Sequence, residues 1–147
     1  MPDPAASANP FGHTITSQDI LDTLGFLDSW EDRYKYIIDL GRELPAMPAA
    51  LHTRDRLVHG CQSQVWIDTR MEAGRLQLAV DSDAFIVKGL LGLVLAAYNN
   101  KAPADVLACD IDAYFEQLDL LRHLSPTRGN GLRAMVQRIQ AIARDNA

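Results

Sequence analysis

The sequence predicts an α+β fold in which a small antiparallel β-sheet packs against several α-helices. Three observations carry that expectation. Residues 64–70 ("QVWIDTR") and 75–80 ("RLQLAV") alternate apolar and polar side chains, the period of a half-buried strand. Residues 89–98 ("GLLGLVLAAY") are a continuous apolar run, too short to cross a bilayer and suited to a buried core helix. Around them lie capped segments with the 3.6-residue repeat of amphipathic helices.

The elements follow in order. Residues 1–16 are rich in Pro, Ala and Ser and are expected to form a flexible N-terminal tail, leaving 17–147 as a single domain. Thr16 or Ser17 is placed to cap a first short helix with Ile20, Leu21 and Leu24 on one face. In "SWEDRYKYIIDLGREL", Ser29 and Asp32 have capping-box spacing, and Trp30, Tyr34, Ile37, Ile38 and Gly41 share one face. Pro45 and Pro48 end that helix. Leu57 and Val58 read as a short strand-like entry, and residues 60–63 as a loop. In the strands, Val65, Ile67 and Thr69 share one face, as do Leu76, Leu78 and Val80, with a turn at "MEAG" between. Trp66 is expected in the core. Asp81, Ser82 and Asp83 are expected to cap the apolar helix, in which Gly89 and Gly92 allow close packing. Pro103 opens a short helix and "DIDAYFEQL" forms another. Ser125 and Pro126 start the last helix, whose buried stripe is Leu132, Met135, Val136, Ile139 and Ile142.

The composition, with 48% hydrophobic and 22% charged residues in 147, is that of one soluble globular domain. A net charge of -5 argues against a nucleic-acid-binding face. The N-terminus lacks the basic start and apolar core of a secretory signal, and no segment reads as membrane-spanning. The two cysteines, Cys61 and Cys109, are far apart and make no disulfide framework, so a reducing, cytoplasmic setting is expected.

Cys61 stands in "RLVHGCQSQVWID", between a glycine that permits a sharp turn and polar residues that make poor core. A free cysteine elsewhere is usually a small buried hydrophobe, and Cys109 is read that way. The thiolate is the reacting species, so a loop-tip thiol of ordinary pKa (about 8.5) needs local help to ionise. Zinc and iron–sulfur sites want several clustered ligands, which this spacing does not supply. A cysteine hydrolase or transferase needs a base, for which His52, His59 and His123 are available. Thiol exchange or sulfur relay needs one accessible cysteine and a docking surface.

The segment "GCQSQVWI" resembles the active-site segment of the SufE family, sulfur acceptors that work with cysteine desulfurases. The resemblance extends through "SWEDRYKYIIDLGRELPAMP", "DSDAFIVKGLLGLVL" and "LSPTRGNGLRAM", covering the chain from about Phe11. "GCQSQVW" is more similar to SufE itself, and "NPFGHTIT" to the extended start of the paralogue CsdE.

The resemblance implies a SufE/IscU-like fold and a protein that acts as a persulfide carrier and desulfurase activator rather than as a self-contained enzyme. Cys61 would be the persulfide acceptor, supported by Gly60, Gln62, Ser63, Asp83 and Arg128. His59 receives no role. The chain would need no cofactor of its own, because pyridoxal phosphate belongs to the partner desulfurase (SufS- or CsdA-like). Sulfur would pass to a SufBCD-type iron–sulfur assembly scaffold or, by a CsdE-type route, to a tRNA-modification acceptor. An adaptor that binds the desulfurase without taking sulfur stays open, as does the oligomeric state, a homodimer included.

Overall fold

The computed structural model describes residues 9–60 and 63–147. Among them, two antiparallel strands and six α-helices form an α+β fold, as the sequence predicts. The helices are α1 (Ser17–Phe26), α2 (Trp30–Gly41), α3 (Phe85–Tyr98), α4 (Pro103–Ala108), α5 (Ile111–Gln117) and α6 (Pro126–Asp145). The strands are β1 (Val65–Glu72) and β2 (Arg75–Ser82).

Helix α3 is the centre of the molecule, buried from Gly89 to Tyr98 without a break. It lies under the hairpin face made by Val65, Ile67, Leu76, Leu78 and Val80, all buried. On another side it crosses α2 at two glycines. A Cβ on Gly41 would stand 2.7 Å from the Gly89 nitrogen, and one on Gly89 would overlap the Ile37 carbonyl. The contact thus depends on the missing side chains. Leu132, Met135, Val136 and Ile139 of α6 close the core, with Ile142 half-buried at its edge.

Local chemistry sets the element ends. Thr16 and Asp19 form a reciprocal capping box on α1. Ser29 accepts the Asp32 amide hydrogen at 3.2 Å on α2, half of the box expected there. The β1–β2 turn is tighter than "MEAG" suggests. Glu72 pairs directly with Arg75, and Ala73 and Gly74 both take positive φ (52° and 78°), as a two-residue type I′ turn requires.

The N-terminal expectation needs correction where it can be compared. Residues 1–8 of the expected tail lie outside the described residues. Residues 9–16 are built into the fold, because Phe11 is fully buried against α3 and Asn9 is 7% exposed. The Asn9 amide donates to the Leu78 carbonyl at 3.3 Å, and Asn99 accepts the Leu78 N–H at 2.7 Å while donating to the Phe11 carbonyl at 2.9 Å. Along the outer edge of β2, the two asparagine side chains at Leu78 continue a backbone bridge between Leu76 and Lys101, and together they blunt the edge against foreign pairing.

Candidate functional site

The loop that carries the sequence candidate is closed by backbone pairing. The Val58 N–H donates to the Val65 carbonyl at 2.8 Å, and Leu57 bridges Trp66 in antiparallel fashion. Val58 and Val65 are both buried, whereas His59 and Gly60, directly after Val58, are exposed. Gly60 takes φ +95°, a conformation strained for any residue with a side chain. Cys61 and Gln62 lie outside the described residues; their flanks, Gly60 and Ser63, lie within them.

Those flanks meet α6. A Cβ on Gly60 would touch the Ala134 Cβ at 3.5 Å, so the loop entry rests on the middle of α6. Ser63 lines a small cleft of about 40 Å³ with Val65, Ser125, Arg128, Gly131 and Met135. Its far wall is the first turn of α6, where Ser125 accepts the Arg128 N–H at 3.2 Å. Arg128 is exposed at the cleft mouth, so the fold brings two distant sequence candidates, Ser63 and Arg128, to one place. Gly131 is buried there, whereas Gly129 faces Leu121, with 4.0 Å of clearance for a Cβ.

Asp83 has a different task from the one expected of it. The N-cap of α3 is Ala84, with no side-chain cap; Ser82 Oγ accepts the Ala84 N–H at 3.2 Å. The Asp83 carboxylate accepts the Gln64 N–H at 3.1 Å, and the Asp83 N–H donates to the Gln64 carbonyl at 3.4 Å. The pair fixes the loop exit to the chain entering α3. Asp81 and Ser82 belong to the end of β2, ahead of the Ala84 N-cap position.

Asp81 is instead the hub of a cluster that the sequence did not reveal. It takes a 2.7 Å contact from His52 Nε2, a 3.4 Å ion pair from Lys88 and the Ser82 N–H at 2.8 Å. Burial pushes its carboxyl up, but these partners outweigh burial and hold it below the usual carboxylate value. Trp66 meets the His52 ring edge-on at 4.6 Å. It is half-buried on the hairpin's outer face rather than in the core, because β1 alternation sends it opposite Val65 and Ile67. Arg56 pairs with Asp68 at 2.7 Å, so the segment before the loop is pinned to the same face.

His59 is exposed. His123 stacks on Trp30. Cys109 is half-buried, and burial pushes its thiol above the ordinary value, which keeps it protonated and suits packing. Among the described residues, no group of three His, Cys, Asp or Glu side chains is placed to hold a metal ion, and no helix is long and apolar enough to cross a membrane.

Comparison with known proteins adds a family. Residues 18–143 match the model of the SufE Fe–S metabolism associated domain. A SufE-like protein of Rhizobium meliloti is 43% identical over 134 residues, covering 88% of this chain and 96% of the relative. A SufE-like protein of Rhizobium etli is 42% identical over 132 residues, covering 87% and 89%. Among solved structures, a hypothetical protein from Thermus thermophilus superposes with a TM-score of 0.73 over 88% of this chain and 94% of that one. At 23% identity, that likeness supports the fold alone.

Proposed function

This chain belongs to the SufE family, and on that premise we propose that it accepts persulfide sulfur from a cysteine desulfurase onto Cys61. The observation that carries the reading is the loop of residues 59–64, which holds one cysteine between Gly60 on α6 and Ser63 in the Arg128 cleft. The Cys61 thiolate attacks the terminal sulfur of the desulfurase persulfide. A new S–S bond forms on Cys61, the old one breaks, and the desulfurase cysteine leaves as a thiolate, so no electrons are gained or lost overall. Removing the persulfide clears the desulfurase for another turnover, which is how the carrier activates it.

The supporting roles follow from position and chemistry. Arg128 offers a guanidinium to the thiolate or persulfide anion, or to the docking desulfurase. Gly60 supplies the turn, Gln62 and Ser63 shape the loop, and Asp83 anchors its exit. The absence of a resolving cysteine beside Cys61 suits a carrier, since a second thiol would expel the sulfur as a disulfide forms. Pyridoxal phosphate belongs to the partner, and this chain works in the cytoplasm without a cofactor of its own. The sulfur then goes to a SufBCD-type scaffold or to a tRNA-modification acceptor.

A second reading, a cysteine hydrolase or transferase, is favoured by one observation: the His52–Asp81 contact orients an imidazole by a carboxylate. Cys61→Ser separates the carrier from an adaptor that binds the desulfurase without taking sulfur, and sulfur loading of Cys61 separates the carrier from the hydrolase. A carrier variant binds the desulfurase but neither takes sulfur nor accelerates L-cysteine desulfuration. Full acceleration by Cys61→Ser would leave an adaptor and overturn the carrier.

A further inference from the structure

Away from the loop, an aromatic and polar cluster joins α2 to the connection that precedes α6. Trp30 and His123 stack with centroids 3.8 Å apart and planes 21° from parallel. Tyr34 donates its hydroxyl hydrogen to the His123 carbonyl, so one turn of α2 holds both the ring and the backbone of the same residue. Arg33 lies 5.1 Å from the Trp30 ring centroid and donates to the Leu27 carbonyl at 3.0 Å, fixing the indole from its own helix.

The cluster has two features that stability alone does not explain. The His123 Nε2 atom is buried without a hydrogen bond among the described residues, with Asp119 Oδ2 3.4 Å away. Asp119 itself sits at φ +53°, in the left-handed region. Its carboxylate also takes a 2.8 Å contact from Arg122. A buried unsatisfied atom beside a left-handed residue persists where surrounding contacts over-determine the geometry, and such places gather near functional sites. Two residues beyond His123, Ser125 caps α6 and accepts the Arg128 N–H.

We infer that Trp30 and His123, with Tyr34 and Asp119, are positioning residues that hold the first turn of α6 and so fix Arg128 at the cleft shared with Ser63. The inference rests on the sulfur-acceptor reading for its consequence but not for its geometry, and its two tests separate accordingly. The first is amide hydrogen exchange in Trp30→Leu and His123→Asn, with Trp30→Phe as the conservative variant. The clamp predicts that exchange at the Arg128 amide rises about tenfold or more in the first two, while Ile139 in mid-helix is unchanged and Trp30→Phe stays near wild type. Unchanged exchange at Arg128, or a uniform rise along α6, overturns the clamp.

The second test is sulfur loading of Cys61 by a cysteine desulfurase in a double-mutant cycle of Trp30→Leu with Arg128→Ala. Positioning predicts a loss of about tenfold for each single variant and a double variant no slower than the slower single. The same cycle of Trp30→Leu with Arg144→Ala, in the last turn of α6, is multiplicative. Multiplicative losses with Arg128 as well overturn the positioning role. A wild-type protein that takes no sulfur overturns the carrier reading and this consequence together, while the exchange measurement still decides the clamp.

Discussion

Asp83 and Gln64 hold each other twice, carboxylate to amide at 3.1 Å and amide to carbonyl at 3.4 Å, across the gap between the cysteine loop and the chain entering α3. The side-chain half of that pair can be removed without touching the core. Asp83→Ala is expected to cost about 1 kcal/mol, the usual net worth of one hydrogen bond. In a chain of this length that lowers Tm by about 2–4 °C. The same variant is expected to raise the alkylation rate of Cys61 several-fold in the isolated protein, since the loop exit loses an anchor. Calorimetry and timed alkylation check the two outcomes.

Asp81 makes stability depend on pH in a defined direction. Its partners hold the folded carboxyl below the ordinary value of about 3.9, despite burial. A depressed folded pKa stabilises the native state above the unfolded value, and that contribution disappears as pH falls through the folded one. Wild type is therefore expected to exceed Asp81→Asn in Tm at about pH 5, and the margin to shrink as pH falls below about 4. A margin that widens on acidification would contradict the assignment.

Gly89→Ala places a methyl group against the Ile37 carbonyl in the α2–α3 crossing. Both helices are fixed by the rest of the core, so the backbone has to move. The expected loss is about 3 kcal/mol, toward the upper end of overpacking costs. Urea denaturation with an unchanged m-value and a lowered midpoint would register it.

Phe11→Ala tests whether the segment before α1 is structural. A fully buried phenylalanine lost from a packed site costs about 3–5 kcal/mol. A variant with wild-type stability would restore the flexible-tail expectation for these residues.

Much of this fold was legible because its signals are local. Period-2 alternation located both strands, and the continuous apolar run located the central helix. Ser125 and Pro126 located the start of α6, and the choice between Thr16 and Ser17 located that of α1, which Thr16 caps. What escaped depends on partners distant in sequence. Phe11 sits in a composition typical of a tail, and it is core because its ring packs on α3 at Gly92 while Asn99 holds its carbonyl, both far along the chain. Asp83 has the composition of a cap but meets Gln64, nineteen positions away. His52 carries no motif; Asp81 and Trp66 give it a setting only after the hairpin has paired them. At the site, Arg128 and Ser63 each carry a signal in the sequence, but their shared cleft is a product of how α6 packs.

The most direct measurement is the intact mass, without reductant, of this protein after incubation with a cysteine desulfurase and L-cysteine. The sulfur-acceptor account predicts a gain of one or more sulfur atoms that maps to the Cys61 peptide and is absent in Cys61→Ser. No gain in the presence of a desulfurase shown to be active, from the same source, would contradict it.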